Sequence, residues 1–161
     1  NILNENVDFI FSNYLVFENT NTPEAPSINI KGKIYPVKVE SLYYTNPFCH
    51  SSMVVKTTVL RELGGYNETL SKLVDYDLYI RAMNHYKFAI LRQPLVYKRF
   101  HINQSFERSN RTRYIFSILS MQSKNLINSG KLQYFPIIFA KFIYSLLPAK
   151  IRKSIKNSHI V

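Results

Sequence analysis

The chain has 161 residues, enough for one domain that buries most of its apolar surface, and its 46% hydrophobic and 14% aromatic content excludes an intrinsically disordered chain. A single cysteine, Cys49, excludes an internal disulfide framework and a cysteine-built metal site. The net charge of +11 gathers at one end: residues 1 to 40 hold three Lys against five acids, residues 41 to 97 hold six basic against four acidic residues, and from Lys98 onward twelve basic residues face one acid, Glu107.

The first residue is Asn1, and the residues after it have neither the charged segment nor the unbroken apolar run of a secretion signal, so the chain reads as part of a longer protein. Val7 to Phe17 is rich in β-branched and aromatic residues and ends in Asn, Thr and Pro, which predicts a buried strand. Ile28-Asn29-Ile30 and Ile34-Tyr35-Pro36-Val37 flank Lys31-Gly32-Lys33 as a hairpin, and Pro36, which has no N–H to give, demands a sheet edge. Cys49 to Val55 is the next expected strand. A helix of about two turns from Thr57 to Leu63 follows and stops at Gly64-Gly65, a C-cap signal.

Ser71 is the expected cap of the next helix, which runs from Leu73 to Tyr86 and carries Asp75 in its first turn. That helix is apolar on nearly every side, so it is expected to be buried, with Asp77 and Arg81 paired one turn apart. Phe88 to Leu91 and Leu95 to Phe100 read as two short strands parted by Arg92-Gln93-Pro94. Arg111 to Ser129 places Ile115, Ile118, Leu119, Gln122 and Leu126 at helical spacing and ends at Gly130. Tyr134 to Leu147 is a second helix, apolar except for Lys141 and Ser145 and too short and interrupted for a membrane span. Strands that alternate with helices predict an α/β sheet with ligands at strand ends, followed by two C-terminal helices.

Four segments in this order carry a resemblance. Asn46-Pro47-Phe48-Cys49-His50-Ser51-Ser52-Met53-Val54, Leu63-Gly64-Gly65-Tyr66-Asn67-Glu68, Val74-Asp75-Tyr76-Asp77-Leu78-Tyr79-Ile80-Arg81 and Pro94-Leu95-Val96-Tyr97-Lys98-Arg99-Phe100-His101 together resemble the C-terminal, acceptor-side half of family 2 glycosyltransferases of the GT-A fold. Such enzymes move a sugar from a nucleotide-sugar donor to an acceptor. The resemblance covers residues 7 to 105. It implies a mixed GT-A sheet with flanking helices over 1–105 and a helical, basic extension over 106–161. It also implies a nucleotide-binding half, with an Asp-X-Asp segment for Mg2+ or Mn2+, that lies outside this chain. Asp75-Tyr76-Asp77 is the one Asp-X-Asp in the sequence, and its position after the Gly-Gly-Tyr turn makes it the acceptor-side motif.

By the same resemblance Asp75 aligns with the carboxylate that deprotonates the acceptor hydroxyl in inverting members. A helix N-terminus suits that role, because the helix dipole favours negative charge and the first turn holds the side chain rigidly. Val74 replaces the Glu usual in the family, so one accompanying carboxylate is absent. Gly64 and Gly65 are expected to take positive φ and bring backbone close to an acceptor. Tyr66 stacks on a sugar or fills the core, His50 and Ser51 line the acceptor pocket, and Cys49 is a filler. Arg99 and His101 are diphosphate contacts by resemblance, His101 also a metal ligand; the plain alternatives are a strand-edge charge and a loop histidine.

The expected partners are a nucleotide-sugar donor and a glycan or lipid-linked acceptor in bacterial surface-polysaccharide synthesis, with the protein in the cytoplasm or on the inner face of the membrane. Phe135, Phe139, Phe142 and Tyr144 beside Lys150, Arg152, Lys153 and Lys156 suit an anionic membrane surface, or else packing on the nucleotide-binding half or on a second copy of the chain. The basic end also raises nucleic-acid binding, but no nucleic-acid motif accompanies it. A catalytically inactive interaction module is the remaining alternative, kept open by Val74.

Overall fold

The computed structural model describes residues 6–18, 34–100, 111–148, 151, 152 and 155. The chain divides into two compact units, Asn1–Gln104 and Ser105–Val161. The first is α/β: a four-stranded mixed sheet with short helices.

Its strands are β1 (Phe9–Glu18), β2 (Ile34–Pro36), β3 (Val54–Val55) and β4 (Phe88–Phe100), in the order β2-β4-β1-β3. β1 and β4 run parallel, and β2 and β3 are antiparallel additions on either side. Phe9 to Ser12 are buried, as happens where both faces of a sheet are covered, but Asn13 to Val16 are exposed, so the strand expected to be buried is so only in its first half. Pro36 ends the short strand at the β2 edge, where a missing N–H costs no ladder bond. The first arm of the expected hairpin, Ile28 to Lys33, lies outside the described residues.

Three further expectations are corrected. Cys49 to Val55 is not one strand: His50–Ser52 is a 3-10 turn and only Val54–Val55 joins the sheet. The Ser52 hydroxyl explains this, since it accepts the Ser12 N–H and has the Cys49 carbonyl at 2.8 Å and the Ser12 carbonyl at 3.1 Å as alternative acceptors for its one proton, so a side chain replaces the backbone ladder there. Phe88 to Phe100 is one strand and not two, because a bulge absorbs Arg92-Gln93-Pro94. The register jumps from Ser12 opposite Leu91 to Asn13 opposite Pro94, and the Asn13 amide spans the bulge to the Arg92 carbonyl at 2.6 Å.

The third correction concerns the Asp75 helix. After α1 (Thr57–Glu62), α2 covers Val74–Ala82 and ends before Tyr86, where His85 and Tyr86 turn back onto the Ala82 carbonyl. Its N-cap is Leu73 at φ 62°, with no side-chain cap, instead of Ser71. Leu73 is the one non-glycine residue at positive φ among the described residues, a conformation that costs about 1–2 kcal/mol for an L-residue. The packing of α2 holds it there. Tyr76, Leu78, Tyr79 and Ala82 are buried, and the Tyr76 hydroxyl donates at 2.7 Å to the Leu42 carbonyl in the 3-10 turn Val39–Tyr43. The Tyr79 ring stands edge-on to Phe9, Phe11, Phe48 and Phe88, while Phe9 stacks on Phe88 and Phe11 on Phe48.

Asp8 clips three elements together at the start of β1. One carboxylate oxygen meets Lys56 Nζ at 2.9 Å just before α1, and the other accepts the Lys87 N–H at 2.9 Å just before β4. Burial pushes this carboxyl up, but the Lys87 N–H and the Lys56 ammonium together outweigh it, so Asp8 titrates below the usual range. A lowered folded pKa contributes stability above the unfolded value of about 3.9 and loses it as pH falls through the folded value. Asp8→Asn is therefore expected to lower the urea midpoint at pH 7 and to differ less from the parent at pH 3. Equal differences at the two pH values would count against the clip.

The second unit is a helical hairpin. α3 (Arg111–Ser129) ends at Gly130, φ 67°, and α4 (Phe135–Leu146) starts with Pro136 in its first turn, a position that needs no N–H. Arg111, at the start of α3, donates to the Ser145 carbonyl near the end of α4 at 2.6 Å, so the helices are antiparallel. Leu126 and Ile138 are buried, with Gln122 and Asn125 buried beside them, and Phe116 meets Phe142 edge-on. Among the described residues no helix is long and apolar enough to cross a membrane.

Candidate functional site

The site grows from the end of α1. Gly65 N–H bonds back to the Leu60 carbonyl and Gly64 N–H to that of Arg61, both at 2.9 Å, the paired bonds of a Schellman motif. Both glycines have φ above 70°, and a Cβ built on either meets nothing within 4 Å. Conformation, not crowding, requires glycine here, and the turn leaves open space beside its backbone.

Arg81 fastens this turn to α2. Its Nε bonds the Asp77 carboxylate at 2.9 Å, as the one-turn spacing predicts, while Nη1 donates to the Leu63 carbonyl and Nη2 to that of Gly65 at 2.8 Å. The planar guanidinium thus holds the Gly-Gly turn at a set distance from the helix that begins with Asp75. Asp77 is occupied by this contact.

Asp75 is half-buried in the first turn of α2. Its Oδ2 accepts the Asn46 amide at 3.0 Å, and Asn46 is itself fixed by accepting the Phe48 N–H at 3.2 Å. Tyr79, one turn on from Asp75 on the same helix face, meets His50, which in turn meets Tyr66. The Tyr66 hydroxyl is 3.4 Å from His50 Nε2, and the Tyr79 hydroxyl is 3.0 Å from His50 Nδ1. The His50 and Tyr66 rings meet edge-on at 5.7 Å. Burial first, and then the charge of Asp75, pushes the Tyr66 phenol up from its usual pKa. The same two causes push Tyr79 up much further, so both phenols keep their protons.

Of the residues expected at the site, His50 and Tyr66 meet each other, and Asp75 lies one turn before their partner Tyr79 on α2, while the Gly64-Gly65 turn is tied to the same helix by Arg81 at the Gly65 carbonyl. Ser51 is exposed on the same 3-10 turn as His50, and Cys49 precedes that turn, half-buried. Arg99 stands opposite Phe17, with its guanidinium 5.3 Å from the Phe17 ring centre. It lies six residues past the level of Phe11, on which Tyr79 packs, or roughly 20 Å of extended strand. His101 lies outside the described residues.

Two further site residues, Asn46 and Tyr79, have no standing as functional residues in the sequence alone. Tyr79 had a signal, since four residues beyond Asp75 places it on the same helix face. Asn46 had none beyond its position before Pro47, for its partner is 29 residues away. No family model, curated protein or solved structure matches the chain.

Proposed function

We propose that this chain is the acceptor-binding part of an inverting glycosyltransferase of the GT-A kind, with Asp75 as the base that takes the proton of the acceptor hydroxyl. The observation that supports this reading best is the constellation around Asp75. A carboxylate in the first turn of a helix is held by Asn46 through one oxygen and leaves Oδ1 for a substrate, on the helix face where Tyr79, one turn on, meets His50.

In the step proposed, Oδ1 of Asp75 accepts the acceptor proton while the acceptor oxygen bonds to the anomeric carbon of the donor sugar. The bond from that carbon to the nucleoside diphosphate breaks, and the diphosphate leaves with the bonding pair. Asn46 keeps the carboxylate from rotating, and Arg81 keeps the acceptor-side turn in register with it. A divalent ion would supply charge stabilisation to the leaving diphosphate. Among the described residues no three His, Cys, Asp or Glu side chains converge; the main ligands of that ion are those expected in the nucleotide-binding half outside this chain. The test is turnover of nucleotide-sugars by the intact protein and its dependence on Asp75; transfer that survives without the carboxylate overturns the assignment.

An anionic membrane surface is the further partner proposed. On α4, Phe135, Phe139, Ile143 and Leu146 are exposed although the helix is apolar nearly throughout, and residues 105 to 161 carry ten basic residues against one acid. An exposed apolar helix among cations fits shallow insertion between anionic headgroups. Phe139→Glu with Ile143→Glu, at side chains 50% and 46% exposed, is expected to abolish sedimentation with phosphatidylglycerol vesicles while leaving the hairpin folded. Undiminished sedimentation of this variant would remove the membrane from the proposal.

A further inference from the structure

The Asp75 site contains a buried phenol that the transfer chemistry does not use. Tyr79 is fully buried, its ring edge-on to four phenylalanines, and its hydroxyl reaches the site at one atom, Nδ1 of His50, at 3.0 Å. On the other side of the imidazole, Nε2 faces the Tyr66 hydroxyl at 3.4 Å.

The direction of these bonds follows from what each group can give. A buried phenol with a single partner spends its O–H on that partner, since an unmade bond in the interior is costly. His50 Nδ1 is then the acceptor and carries no proton. A neutral imidazole with a bare Nδ1 carries its proton on Nε2, and that N–H is aimed at the Tyr66 oxygen. Tyr66 accepts there and turns its own O–H away from His50. Asp75 lies one turn before Tyr79 on the same face of α2, the side on which His50 and Tyr66 gather, and it has one oxygen filled by Asn46 and one left to accept.

We propose that Tyr79 and His50 are positioning residues that set the Tyr66 hydroxyl as a hydrogen-bond donor beside Asp75, so that one ligand hydroxyl accepts from Tyr66 while it offers its proton to the carboxylate. The pair discriminates by role. An ammonium cannot accept, and an ether or a carboxylate cannot donate, so a hydroxyl satisfies both partners where these groups leave one unmade. The sugar-acceptor identity of that ligand rests on the reading given above. The Tyr79–His50–Tyr66 relay does not.

The experiment uses intact protein with 15N-labelled histidine, with the His50 signals assigned by their loss in His50→Gln. The expected spectrum has the proton on Nε2 and a hydrogen-bonded, unprotonated Nδ1. Tyr79→Phe, which keeps the ring, moves Nδ1 to the position of an unbonded nitrogen and shifts the Tyr66 ring signals. In titrations with the methyl glycosides of glucose, galactose and N-acetylglucosamine, Tyr66→Phe and Tyr79→Phe each weaken the response about tenfold, and the double variant is no weaker than either. A proton on Nδ1, or an Nδ1 signal indifferent to Tyr79→Phe, overturns the relay. Glycosides bound equally by Tyr66→Phe overturn the donor role. A relay seen as expected with no glycoside moving the Tyr66 signals counts instead against the acceptor reading beneath it.

Discussion

Asp75→Asn in the intact protein is expected to lower turnover by roughly 10²- to 10⁴-fold, the usual contribution of a positioned general base, while nucleotide-sugar binding and the melting temperature stay near those of the parent. The asparagine keeps the shape of the side chain and can still accept the Asn46 amide through its own carbonyl, so the first turn of α2 keeps its contact. What it loses is the ability to take a proton. The measurement is single-turnover transfer with product analysis, beside nucleotide binding by calorimetry. A fall in the chemical step with binding preserved assigns the base, whereas unchanged turnover removes Asp75 from the chemistry. A collapse in melting temperature would assign the carboxylate to structure.

Arg81→Met is expected to cost the first unit about 2–3 kcal/mol, because it deletes three hydrogen bonds of a charged group at once and leaves the Leu63 and Gly65 carbonyls and the Asp77 carboxylate without their partner. For a unit of this size that corresponds to a melting temperature lower by roughly 10–20 °C. Arg81→Lys retains charge but not the fork, so it reaches one of the three acceptors and recovers less than half of the loss. Denaturant unfolding of both variants gives the comparison. A methionine variant within about 0.5 kcal/mol of the parent would mean that the Gly-Gly turn holds its place without the guanidinium.

Features set by neighbours in the chain were legible in the sequence. The Schellman end of α1 needed only two consecutive glycines, and the Asp77–Arg81 pair only the pitch of a helix. Pro36 at an edge, the strand from Phe9 and the break at Gly130 were likewise local, since each follows from the φ or the missing donor of one residue. A sheet with flanking helices followed from the alternation of these elements.

Features set by residues distant in sequence were not legible. Whether Cys49 to Val55 paired as a strand depended on Ser12, forty positions away, whose backbone the Ser52 hydroxyl engages in place of a ladder. The bulge that joins two expected strands into β4 appears only when Asn13 is set against Pro94. Leu73 adopts a left-handed conformation that no rule of capping favours, because the buried face of α2 determines where the helix starts. The sequence by itself determined the local elements and the acid at the head of α2. Only the tertiary structure decided what surrounds that acid, bringing Asn46, His50 and Tyr66 to its helix from two separate segments, because hydrogen bonds close over space and not over sequence.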